Sequence, residues 1–140
     1  MTQGEKDLVL KDLCARLPYK VKVCLYEKET CVLLGIDGYE VYLDVDSDSF
    51  RIESIKPYLR PMSNMTKDEE DELDKIDKES SRIFFDDLFE RKKKEGRENL
   101  KGFLPDYPTL DWLNSHHFDY RGLINMRLAL EAPEGMYTTT

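Results

Sequence analysis

From Tyr19 to Leu25, and again from Tyr39 to Val45, the apolar residues recur at every second position, a period that a strand buries on one face and a helix does not. Tyr19, Val21, Val23 and Leu25 alternate with Lys20, Lys22 and Cys24. Glu27-Lys28-Glu29 makes a polar turn, and Thr30 to Ile36 is a nearly continuous apolar run. Asp37-Gly38 then separates that run from Tyr39, Val41, Leu43 and Val45. Asp-Gly between two such runs is a hairpin signal, because glycine takes the positive φ that the favoured two-residue turns require. It predicts a type I′ turn. After Asp46-Ser47-Asp48-Ser49, Phe50 to Ile55 reads as a fourth strand, with Pro57 and Pro61 marking the exit from the sheet. Short connections make an antiparallel β-meander the economical topology. Four or five short curved strands also suffice for a small SH3-like barrel, which is the finer form of the expectation.

Helical spacing brackets this sheet. Leu8, Leu10, Leu13 and Leu17, with Val9 and Cys14 beside them, predict a helix from about Glu5 to Leu17, ended by Pro18. Thr66-Lys67-Asp68-Glu69 is a capping box, in which the Thr hydroxyl and the Glu carboxylate satisfy each other's backbone amides. Leu73, Ile76, Ile83, Phe84, Leu88 and Phe89 continue it as the stripe of a long helix, interrupted near Ser80-Ser81 and ending before Gly96. One or two short helices are expected after Pro108, and Thr138-Thr139-Thr140 as a frayed tail. The fold class is therefore α+β, in one domain over 1–140. Residues 1–62 form the helix plus antiparallel sheet, 63–99 the long charged helix, and 100–137 a C-terminal helical segment.

Charge limits the partners such a domain can take. Basic residues number 21 and acidic residues 29, a net charge of −8. A polyphosphate backbone is repelled by the molecule as a whole, so general nucleic-acid binding is disfavoured. Cys14, Cys24 and Cys31 are odd in number with no CxxC spacing, which suits reduced thiols in a cytoplasm. The first twenty residues mix charged with apolar groups and hold no signal-peptide core. No apolar run reaches the roughly 20 residues that cross a bilayer. A cytoplasmic protein without a membrane partner is expected.

Three constellations could carry chemistry. Residues 68 to 79 hold eight carboxylates and residues 91 to 97 five basic groups. An acidic face of that kind can imitate nucleic acid, but acid at a helix N-terminus and base at its C-terminus also complement the macrodipole of a solvated helix. Asp44-Val45-Asp46-Ser47-Asp48 begins like a calcium loop, yet Ser49 stands where the loop needs Gly and Ile55 where it needs Glu. A turn with Asp side chains bonding nearby amides explains the same residues. His116-His117-Phe118-Asp119-Tyr120-Arg121 gathers both histidines beside a carboxylate, a phenol and a guanidinium. Adjacent histidines diverge and do not share one ion, so the simpler reading is a helix C-terminus followed by a packing turn.

No cofactor, metal site or catalytic residue is indicated, and no Walker, GxGxxG, GxSxG or HExxH sequence occurs. Lys20 and Lys22 with Tyr26 on one strand face are a weak nucleic-acid signal. Trp112, His116, His117, Asp119, Tyr120 and Arg121 are of the types that anchor interfaces, which makes them the candidate partner surface. The same composition also suits an internal lid packed on the sheet. In that case Arg121 pairs inside the domain, with Asp119 or with the long helix.

Two stretches carry a resemblance. They are Ile52-Glu53-Ser54-Ile55-Lys56-Pro57-Tyr58-Leu59-Arg60-Pro61-Met62, and Trp112 to Ile124 running on to Leu128-Ala129-Leu130-Glu131-Ala132. They resemble an uncharacterised family of short proteins from Bacteroidales gut bacteria and their phage-like or mobile elements, over about a quarter of the chain. The resemblance implies an accessory protein and carries over no site. The expected function is non-catalytic protein interaction or self-association. The alternatives are a nucleic-acid-binding or nucleic-acid-mimicking regulator and, third, an enzyme using His116, His117 and Asp119.

Overall fold

Of the alternating residues, Val21, Val23, Leu25, Val41 and Leu43 are buried, whereas Tyr19 lies in a 3-10 helix and Tyr39 and Val45 are exposed at the ends of the strand Glu40–Leu43. In the computed structural model, which describes residues 1–45, 47–80 and 107–137, the strands are β1 (Lys22–Leu25), β2 (Glu29–Asp37), β3 (Glu40–Leu43), β4 (Ser49–Arg51), β5 (Ile55–Leu59) and β6 (Leu130–Glu131). They form one six-stranded sheet in the order β4-β3-β2-β1-β5-β6. All pairings are antiparallel except β5 with β6. Val23, Leu25, Cys31, Leu33, Val41, Leu43, Ile55 and Leu59 point to one side and are buried there. Helix α1 (Gln3–Arg16) adds Val9 and Leu13 to the same core. Its start is closed by a capping box in which Thr2 Oγ1 accepts from Glu5 N and Thr2 N donates to Glu5.

The sheet is open. The fourth expected strand breaks in two, because Ile52–Ser54 turns as a 3-10 helix and sends β5 to the far side of β1. Strand β4 pairs only with β3, so no barrel closes. Pro57 does not mark the exit either. It lies within β5, opposite Val23, and the strand continues to Leu59.

The β2–β3 turn is displaced by one residue from the expected one. Asp37 pairs with Glu40, leaving Gly38 and Tyr39 as the central pair. Gly38 has φ +61° and Tyr39 is not in the positive-φ region, the signature of a type II′ turn with Gly first. Gly38→Val should therefore cost roughly 1–3 kcal/mol through backbone strain alone. Nothing lies within 4 Å of the new Cβ. An unchanged melting midpoint would show the turn to be otherwise built.

The chain divides into two compact units, Met1–Asn64 with Leu113–Thr140, and Met65–Trp112. The first contains the sheet and α1. In the second, helix α2 (Lys67–Ser80) begins at the expected capping box, with Glu69 N donating to Thr66 Oγ1 and Thr66 N to Glu69 Oε1. The expected continuation through Ile83, Phe84, Leu88 and Phe89, and the basic run of 91–97, lie outside the described residues. Helix α3 (Tyr107–Ser115) follows Asp106. The expected helical C-terminal segment stops there. Residues 116–129 are turns and irregular chain, and β6 comes after them.

Candidate functional site

Of the candidate partner surface, the five residues in the first unit, His116, His117, Asp119, Tyr120 and Arg121, fold inward as a lid. Trp112, His117 and Asp119 are buried, and His116, Tyr120 and Arg121 are partly covered. The local reason is the end of α3. His117 N–H donates to Asn114 O and Phe118 N–H to Leu113 O, while His117 takes φ +61°. These are the two hydrogen bonds and the left-handed residue of a Schellman cap, a place usually held by glycine. Histidine does sit at a helix C-terminus, but its backbone rather than its ring closes the helix.

That cap aims the next residues into the core. Phe118 is fully buried, and the Arg60 guanidinium lies 4.2 Å from its ring centroid. Both carboxylate oxygens of Asp119 are occupied by backbone amides, Leu123 N at 2.8 Å and Ile124 N at 2.9 Å. Among the described residues, Arg121 does not pair with Asp119. Its Nε donates to Asp12 Oδ1 at 3.1 Å. Asp12 also holds Arg16 through Nε at 2.9 Å and Nη2 at 3.1 Å, and Arg16 Nη2 donates to Phe118 O at 2.6 Å. Asp12 and Arg16 are completely buried. Tyr120 Oη donates to Asn114 Oδ1 and accepts from Arg121 Nη2, which ties the lid to itself.

Tyr137, which no sequence pattern distinguishes, locks the far end of the same lid. Its ring stacks on His117 with centroids 3.8 Å apart. Its hydroxyl accepts from Lys22 N at 2.8 Å and donates to Tyr58 O at 2.8 Å. By register those two residues form the next pair after Val23 and Pro57, so a side-chain hydroxyl bridges the β1–β5 ladder there. Burial, and after it the charges of Arg16, His116, Arg60 and Lys22, hold the His117 imidazole down to about 3. Burial pushes the Tyr137 hydroxyl well above the ordinary tyrosine value.

His116, His117 and Asp119 are thus engaged separately. His116 Nδ1 contacts Ser115 Oγ, His117 stacks on Tyr137, and Asp119 caps a turn. No group of three His, Cys, Asp or Glu able to hold a metal occurs among the described residues. Asp44 Oδ1 accepts from the amide of Val32 in β2, a contact across to another strand rather than to a nearby amide of its own turn. Asp46 lies outside the described residues. Lys20 precedes β1 in a left-handed turn, so it does not share a strand face with Lys22.

The other face of the sheet is partly exposed: Thr30 and Tyr42 face water, Cys24 is buried, and Lys22 Nζ donates to Met136 O. Lys22, Cys24, Thr30, Val32, Tyr42, Lys56, Tyr58 and Leu130 alternate with the core residues and point away from them. The β2–β3 register jumps from Leu33–Leu43 to Gly35–Tyr42, making Leu34 the extra residue of a bulge. Leu34 is 61% exposed. Tyr42 lies against Gly35, whose missing Cβ gives its ring room. At the opposite end of this face, a cleft of about 600 Å³ is lined by Cys24, Tyr26, Glu27, Glu53, Lys56 and Tyr58, among others. A hydrogen bond with the Cys24 thiol, more than burial, pushes the Tyr58 hydroxyl up. Among the described residues, no helix is long and apolar enough to cross a membrane. Comparison with known protein families, with characterised proteins and with solved structures finds no match to this chain.

Proposed function

We propose that this chain is a non-catalytic protein-interaction module whose contact surface is the outer face of the sheet. The observation that carries this reading is the pair Leu34 and Tyr42. The water-facing side of an antiparallel sheet is ordinarily polar. Here a bulge turns a leucine outward beside an exposed tyrosine, with Val32 on the same face. Exposed apolar groups clustered on one face, with an aromatic among them, are typical of contact surfaces. The lid residues His117 and Asp119 serve instead to fix the fold that presents this face. An accessory role of this kind also agrees with what the Bacteroidales and mobile-element resemblance implies.

The reading is tested by separating fold from capture. Leu34→Asp with Tyr42→Ser should leave the melting midpoint within about 0.5 kcal/mol equivalent of the parent, as exposed substitutions do. The tagged variant should nonetheless lose the protein that the parent retains from its native host, as read by mass spectrometry. Retention of the same partner by the double variant would move the contact surface elsewhere.

A further inference from the structure

The cleft beside the β1–β2 turn has features that the general reading of the sheet face does not use. Tyr26 and Glu27 both adopt positive φ, +52° and +61°. A bulky aromatic in that conformation is a backbone outlier that persists only where its surroundings enforce it. Enforcement is visible here. Tyr26 N–H donates to Ser54 O at 2.9 Å, and Lys28 N–H donates to Leu25 O at 3.0 Å to close the turn. The Tyr26 ring meets Phe50 edge-on at 6.1 Å, yet the residue stays 59% exposed. The turn therefore holds a large aromatic group in water at a fixed place on the rim of the cleft.

Charge decides what that group can receive. Glu27 forms no ion pair among the described residues. Glu53 reaches Lys6 only at 3.7 Å, with both side chains partly exposed. Lys56 is one cation among the lining residues against these two carboxylates. Tyr26 and Tyr58 supply aromatic groups, and Leu130 an apolar wall. An aromatic cleft with the unpaired Glu27 carboxylate at its rim, and Glu53 only loosely paired with Lys6, suits a cation carried on an aliphatic stem, attracted both by charge and by the ring face. The volume is within the roughly 300–1,000 Å³ usual for binding sites, enough for one long side chain and its flanking backbone.

We propose that this cleft binds a lysine or arginine side chain of the protein partner, with the Tyr26 ring and the Glu27 carboxylate as its principal contacts. The proposal rests on the reading of the outer sheet face as the contact surface. It assigns the partner a basic residue at the position that meets the β1–β2 turn.

The test is a titration of the nitrogen-15-labelled full chain, followed by amide chemical shifts. The probes are Nα-acetyl-arginine amide and Nα-acetyl-lysine amide, with Nα-acetyl-norleucine amide as the uncharged analogue. The cationic probes should give saturable shifts at Tyr26, Glu27, Ser54 and Lys56, with Kd on the order of 1 mM. Binding should weaken as salt rises past ~0.15 M. Tyr26→Gly keeps the turn conformation without strain, so its melting midpoint should not fall while affinity drops about tenfold. Tyr26→Asn, which tolerates the same backbone, is the second variant should glycine loosen the turn. Glu27→Gln should weaken binding and remove most of its salt dependence. Equal shifts with norleucine, no shifts at these amides with either cation, or full binding by both Tyr26 variants would overturn the proposal. Loss of the host partner on changing Leu34 and Tyr42 would stand in each of those cases, so the cleft can fail while the sheet-face reading survives.

Discussion

Asp12→Ala should destabilise the domain by about 3–5 kcal/mol, the range for removing one partner of a buried ion pair. Asp12 is the single carboxylate between two guanidiniums, Arg16 and Arg121. Without it Arg16 stays fully buried with no carboxylate, left with the Phe118 carbonyl and the Tyr120 ring 5.4 Å away. One of its nitrogens, Nη1, already has no hydrogen-bond partner. Arg121 is different, because its side chain keeps 20% exposure and can turn its charge to water. The penalty therefore centres on Arg16. Pairing Asp12→Ala with Arg16→Met should restore much of the loss, since an apolar side chain of similar length carries no charge to strand. Urea unfolding of the two variants gives the comparison. A loss below about 1 kcal/mol for Asp12→Ala would mean that the charges are hydrated and the lid is looser than its geometry.

Why the sequence reveals some of this fold and conceals the rest can be stated residue by residue. Strands β1 and β3 are legible because their alternation is local and their burial follows it: Val23, Leu25, Val41 and Leu43 all reach the core, while β2 shows as a nearly continuous apolar run. Both capping boxes obey one local rule, although only Thr66–Glu69 is obvious, whereas Thr2–Glu5 sits where a chain terminus usually frays. The Asp37-Gly38 signal locates a turn but not its type, because moving the pairing by one residue changes which two residues are central. Pro57 misleads for a nonlocal reason. A proline is tolerated inside the sheet here where the adjoining rung is made by Tyr137, a residue 80 positions later. The lid is concealed in the same way. Asp12 and Arg121 lie 109 residues apart, and two charged residues on the buried stripe of α1 look in the sequence like the helix's wet side. Tyr26 shows no sign of its role, since nothing in Tyr26-Glu27-Lys28 announces two left-handed residues where glycine or asparagine would be usual.

Stability of the first unit should fall steeply as pH is lowered through the histidine range, and His117 should be the cause. In the unfolded chain its imidazole titrates near 6.5, whereas in the fold it stays neutral down to about 3. The unfolded state therefore binds a proton that the folded state refuses. The contribution of neutral His117 is complete above pH 6.5, shrinks as pH falls below it, and is lost toward pH 3. The slope is roughly 1.4 kcal/mol per pH unit, so about 2 kcal/mol disappears between neutrality and pH 5, before most carboxylates titrate. The physical cause lies in what surrounds the ring. Arg16 comes from α1, Lys22 from β1, Arg60 from the residue after β5 and His116 from its own segment, each opposing a further positive charge. Tyr137 covers the ring from the C-terminal side and offers no charge, and Nδ1 is buried without a partner. His117→Asn keeps a residue that tolerates the left-handed Schellman position and removes the titration. It should be less stable than the parent at pH 7, because the stacking on Tyr137 is lost. Between pH 7 and 5, however, its unfolding free energy should be nearly level while the parent's declines. Equal slopes for the two proteins would assign the acid sensitivity to other groups and place the His117 ring in contact with water.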